Sequence, residues 1–210
     1  EDLGSRRGRG QDGTHARGRR HLRRRHLAGH APGTDAGSAG PPDAGAREVT
    51  VGVVGMNYWG PNLARNLDRL DGCRLAWICD RDEAVLARHR SAYPGSRFTA
   101  DLDDLLADDG LDAVVIATPV PTHAPLARAV LGAGKDAFVE KPLALDAGDA
   151  NELVALADAA GRVLMVDHLL VYHPAVRKLK ELVDGGALGE VFYLYGNRQN
   201  LGIVRPDENA

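Results

Sequence analysis

Four short stretches of this 210-residue chain hold residue types that can do chemistry at a shared site. The first is Gly55-Met56-Asn57-Tyr58-Trp59-Gly60, which ends an apolar run and opens a helical pattern. That context is the one a dinucleotide-binding turn requires, because backbone N–H groups and the positive end of a helix can then approach a pyrophosphate. Gly55 and Gly60 occupy the first and third glycine positions of such a turn, with Tyr58 and Trp59 inside it. Asn57 stands where the second glycine is expected; asparagine enters left-handed backbone more readily than other residues with a side chain. The second stretch is Asp80, followed by Arg81, at the spacing where an acid accepts hydrogen bonds from the adenosine ribose hydroxyls. A carboxylate there favours NAD over NADP, whose 2′-phosphate it repels. The structural alternative is that Asp80 caps the helix after it.

The third stretch, Ala117-Thr118-Pro119-Val120-Pro121-Thr122-His123, falls where another strand meets its helix and so faces the same crevice. Thr118, Pro119 and His123 are candidates for lining the cofactor, with helix capping by Thr122 and a surface position for His123 as the structural alternatives. The fourth is Glu140-Lys141-Pro142. A lysine beside a nicotinamide can donate a hydrogen bond to a substrate hydroxyl or share in proton transfer, and Pro142 invites a special peptide geometry such as cis. By chemistry alone Lys141 is equally an ordinary surface lysine.

The elements that must position these residues follow from periodicity. Apolar runs at 49–54, 73–79, 113–117, 137–139 and 163–166 read as strands of a sheet with five or six members. Helical patterns at 59–70, 82–92, 102–106, 122–131 and 147–159 alternate with them, which predicts an α/β, doubly wound parallel-sheet Rossmann domain over 48–168. In the first helix Leu63, Leu67 and Leu70 share a face. After residue 168 the rhythm changes to an amphipathic helix over 174–183, with Val176, Leu179 and Leu182 inward. A Gly185-Gly186 stop and a strand over 191–195 follow. Residues 169–210 are thus expected to begin an incomplete second α/β domain.

The formal net charge is −3, but residues 1–46 carry nine arginines against five acids, so the remainder is acidic. Residues 1–47 read as a disordered basic extension, since their glycine, arginine and proline content leaves little to bury. A lysine-free string of this kind also resembles translated noncoding or out-of-frame GC-rich DNA. A basic arm for nucleic acid is the functional alternative, with salt-dependent binding as its mark. Neither a nucleic-acid nor a membrane partner is expected. Two cysteines, Cys73 and Cys79, are too few for a disulfide framework. With no secretory signal or spanning stretch, a cytoplasmic location is expected. Asp167, His168 and His173 do not match a metal-ligand spacing, so no metal is expected.

Taken in order, Gly-x-x-Tyr-Trp-Gly-Pro-Asn, the strand ending in Asp80, Ala117-Thr118-Pro119 with His123, and Glu140-Lys141-Pro142-Leu143 resemble the Gfo/Idh/MocA oxidoreductases over residues 49–210. The resemblance implies an NAD-dependent sugar dehydrogenase, with Lys141 catalytic at the nicotinamide and substrate, and a homo-oligomeric full-length protein. Tyr58 to Asn62 with His168, Tyr172-His173-Pro174-Ala175-Val176 and Arg198-x-Asn200-Leu201-Gly202 are most similar to the nucleotide-sugar dehydrogenases, acting on UDP-linked amino sugars or uronic acids. Tyr172 and Arg198 are the implied substrate-side residues. A free sugar or inositol as substrate, and a non-catalytic NAD-binding module, are the alternatives. The resemblance further implies that an Asp and His pair serving proton transfer lies beyond Ala210, so this chain is expected to bind cofactor and turn over little.

Overall fold

The structure is a computed structural model that describes residues 47–197 and 199. Arg198 and residues 1–46 of the basic extension therefore lie outside the described residues. Six strands form one parallel sheet: β1 (Val49–Val54), β2 (Cys73–Cys79), β3 (Arg97–Thr99), β4 (Ala113–Ile116), β5 (Asp136–Val139) and β6 (Leu164–Val166). Their order across the sheet is β3-β2-β1-β4-β5-β6, every pairing being parallel. A sheet of this kind has both faces covered, which is why β4 reads as an unbroken Ala-Val-Val-Ile run and β1 is buried at every position after Val49 rather than at alternate ones.

On one face α1 (Gly60–Asp68) and α2 (Glu83–His89) pack over Val51, Val53, Leu75 and Ile78, with Ala64, Val85 and Leu86 buried beneath the helices. On the other, α3 (Leu102–Leu106), α4 (His123–Gly132) and α5 (Ala147–Ala160) cover Val54, Val114, Ile116 and Val139. Leu105, Ala127, Val130, Leu131 and Leu153 complete that side of the core. Each large aliphatic so buried stabilises the fold by about 1.5–3 kcal/mol relative to exposure. Acidic side chains start α2 and α5: Asp82 accepts from the Ala84 amide (2.8 Å), and Asp146 from that of Asp149 (2.9 Å).

Differences from the expected elements have local causes. β3 lacks an apolar run and is a three-residue edge strand, recruited by β2. Leu70 lies beyond the end of α1 and is exposed. α6 (Pro174–Asp184) forms where expected, with His173 as its cap, but Val176 and Leu179 are exposed and Leu182 is only half-buried. Its apolar side thus does not face inward. Val191–Tyr195 is not a strand: among the described residues no segment pairs with its backbone, and an isolated strand leaves its hydrogen bonds to water. Among the described residues no helix is long and apolar enough to cross a membrane.

Candidate functional site

The carboxyl ends of β1, β2, β4 and β5 converge where the sheet order reverses, between β1 and β4. In open α/β sheets that point leaves a crevice for ligands. The turn after β1 is built by contact. Gly55 has φ +93°, and a Cβ there would lie 2.8 Å from the Ala117 carbonyl oxygen. A Cβ on Gly60 would lie 1.7 Å from the Gly55 carbonyl oxygen, so no side chain fits. These approaches bring α1 directly against the strand end. Among the described residues no acceptor meets the amide N–H of Asn57 or of Trp59, which leaves donors at the start of α1 for an anion.

Asp80 is buried at the end of β2 and holds this turn. Its Oδ2 accepts from the Met56 amide (2.7 Å) and its Oδ1 from the Asp82 amide (3.0 Å). The helix after it is capped by Asp82, not by Asp80. A carboxylate carries about four lone-pair sites, so two remain for ribose hydroxyls. Arg81 lies exposed beside it. Cys79, which also lines the crevice, has its thiol pushed up to about 12 by burial and then by Asp80, Asp101 and Asp104. It therefore stays a thiol rather than a nucleophilic thiolate.

Gly55, Asn57, Tyr58, Trp59, Asp80, Arg81, Thr118, Pro119, His123, Glu140 and Lys141 line a single cavity of about 880 Å³. The four stretches singled out in the sequence thus meet at one place. Tyr58 and Trp59 stand at it with ring centroids 6.3 Å apart. Thr122 does not cap α4 with its side chain; its hydroxyl reaches the Thr118 hydroxyl and the Pro119 carbonyl oxygen, both at 2.7 Å. The Lys141–Pro142 peptide is cis, and Lys141 is exposed toward the cavity. Glu140 is buried: its Oε2 accepts from the Lys141 amide (3.1 Å), and its Oε1 has no hydrogen-bond partner among the described residues. Burial first, and then the neighbouring Asp167 carboxyl, push Glu140 up to about 7, against a smaller opposing pull from Lys141.

Asp167, in the sequence a candidate only for metal ligation, is here a neighbour of Glu140. The backbone pairing of β5 with β6 puts it there, its amide donating to the Val139 carbonyl at 2.9 Å. Among the described residues no group of three His, Cys, Asp or Glu is placed to hold a metal. His123 is buried at the first turn of α4, not on the surface. Tyr172 is outside the cavity lining, with the Arg177 guanidinium 5.5 Å from its ring centroid.

The crevice of an NAD-binding fold has counterparts in known proteins. Residues 49–168 match a family described as an oxidoreductase family with an NAD-binding Rossmann fold, Gfo/Idh/MocA. Inositol 2-dehydrogenase 1 of Saccharopolyspora erythraea is 36% identical over 166 residues, covering 76% of this chain and 49% of that protein. The structure of GenD2 from gentamicin A biosynthesis, in complex with NAD, is 38% identical with a TM-score of 0.64, covering 67% of this chain and 40% of that one. The WlbA dehydrogenase from Bordetella pertussis, in complex with NADH and UDP-GlcNAcA, is 30% identical with a TM-score of 0.65, covering 68% and 41%. The chain thus spans less than half the length of each of these proteins.

Proposed function

Because the chain belongs to the Gfo/Idh/MocA family of NAD-binding oxidoreductases, we propose that its crevice holds NAD(H) and that the whole protein oxidises or reduces a nucleotide-linked sugar at a hydroxyl-bearing carbon. The observation that carries this reading is the convergence of the glycine turn, Asp80, the Thr118 loop and Lys141 on one cavity. When bound, the nicotinamide supplies the site that accepts or gives the hydride. The chain's own residues bind and orient it. The open amides of Asn57 and Trp59 face the pyrophosphate, and the remaining lone pairs of Asp80 accept from the ribose hydroxyls. Lys141 holds the substrate hydroxyl by a charge-assisted hydrogen bond, keeping the reacting carbon near the nicotinamide. Tyr172 and Arg198 are proposed on the substrate side of the whole protein, within a proposed second domain. The nucleotide-sugar preference is supported by the similarity to WlbA and by the tyrosine-tryptophan turn.

A free cyclitol is the second reading, favoured by the 36% identity to an inositol 2-dehydrogenase. In the whole protein, nicotinamide reduction with UDP-linked sugars and none with myo-inositol separates the two. For the crevice itself the test is a fluorescence titration of NADH and NADPH against this chain and its Asp80→Ala variant. NADH is expected to bind more tightly than NADPH, and the variant to bind NADH at least about tenfold more weakly, since hydrogen bonds to a carboxylate are worth roughly 1.5–3 kcal/mol. Because Asp80 also holds the Met56 amide, the melting temperature of the variant is recorded alongside. Tighter binding of NADPH, or of neither cofactor, would sink the reading.

A further inference from the structure

His123 is 1% exposed, and both of its ring nitrogens are engaged. Nδ1 lies 2.7 Å from the Pro142 carbonyl oxygen and Nε2 lies 2.8 Å from the Thr118 carbonyl oxygen. A carbonyl oxygen only accepts, so each contact needs an N–H on the ring. A neutral imidazole has one N–H and would set a lone pair against the other carbonyl; the doubly protonated ring donates to both. The two carbonyls belong to different walls of the crevice. Thr118 follows β4, and Pro142 comes directly after Lys141 beyond β5.

We infer that His123 is a positioning residue. Its imidazole, carrying an N–H on each nitrogen, is a strut of fixed length between the Thr118 loop and the Lys141-Pro142 loop, and so sets where Lys141 stands in the crevice. With both nitrogens committed to backbone, the ring has no polar atom left for a ligand and acts through Lys141 rather than on the cofactor. The role in catalysis rests on the proposed cofactor site, whereas the strut itself does not. Its parts are two part-buried hydrogen bonds within the chain, and among the described residues neither carbonyl oxygen has another donor.

The test replaces the ring and then returns it. In His123→Gly the imidazole is removed, and free imidazole or 1-methylimidazole is added to the variant. Imidazole can present two N–H groups, whereas 1-methylimidazole has a similar shape but can never donate from both nitrogens. The backbone amide resonances of Thr118 and Lys141 are expected to shift in the variant and to return with imidazole only. NADH affinity is expected to fall at least about tenfold and to recover in the same selective way. Equal recovery with both compounds would show that the ring merely fills space and would overturn the strut, as would unshifted resonances. Should His123→Gly not fold, the 15N spectrum of histidine-labelled wild-type chain decides. Two slowly exchanging ring N–H groups on His123 support the strut and a single one overturns it. If the wild-type chain fails to bind NADH, the cofactor reading falls, while the amide resonances still judge the strut.

Discussion

Burial and the neighbouring Asp167 carboxyl hold Glu140 well above the ordinary carboxylate range, and this has a consequence for stability. Its folded value of about 7 lies above the ordinary 4.5, so between these two pH values the native chain holds more proton than the unfolded one. Stability contributed by the protonated form is present below about 4.5 and is lost as pH rises through about 7. Wild-type chain is expected to lose on the order of 2 kcal/mol from this group between pH 5 and 8, less than the full shift implies because Asp167 titrates with it. Glu140→Gln should flatten that dependence, and urea denaturation of both proteins at pH 5 and pH 8 measures it. A difference between the two that does not move in favour of the variant at pH 8 would count against the buried, protonated carboxyl. Gly55, Asp80 and Lys141 could be found from sequence because each sits at a fixed offset from a strand end, and offset alone carries them to the crevice. The burial of His123 could not, since it depends on the Pro142 carbonyl closing over it from another loop. Nor could the bond from the Met56 amide to Asp80, which depends on how closely the Gly55 turn approaches β2.

The helices α5 and α6 have different energetic standing in this chain. α5 lays Leu153 against the sheet with no exposure, whereas α6 leaves Leu179 43% exposed. Leu153→Ala is therefore expected to cost about 2–5 kcal/mol, through lost burial and the cavity it leaves. Leu179→Ala should cost under about 0.5 kcal/mol, as surface changes do. Chemical denaturation of both variants checks the contrast, and comparable losses would mean that α6 is packed. The amphipathic pattern that marks α6 in the sequence reports which side is apolar, not what covers it. The same gap separates 191–195, whose alternation suits a strand, from β3, which has no strand-like run but has β2 beside it. Pairing, which is tertiary, decided both.

At the scale of the molecule, the core residues lie between Val51 and Ala157, and all six strands lie within Val49–Val166. Among the described residues the crevice lining extends past residue 168 only at Leu169. A chain of residues 47–168 is therefore expected to fold and to bind NADH within about threefold of the longer chain, a difference below roughly 0.7 kcal/mol. Loss of binding on this shortening would assign part of the cofactor site to residues 169–210. The alternation of strand and helix was legible across this whole region because each unit carries its own apolar period and turn residues. The strand order also bears on how the chain is made. β1 comes first and lies near the centre; β2 joins it, β3 joins β2, β4 takes the free edge of β1, and β5 and β6 extend that edge in turn. Every strand after the first therefore meets a neighbour that has already left the ribosome, and none waits for a segment not yet synthesised. The sheet can grow outward in step with translation, with the cofactor crevice opening at its midline as soon as β4 emerges.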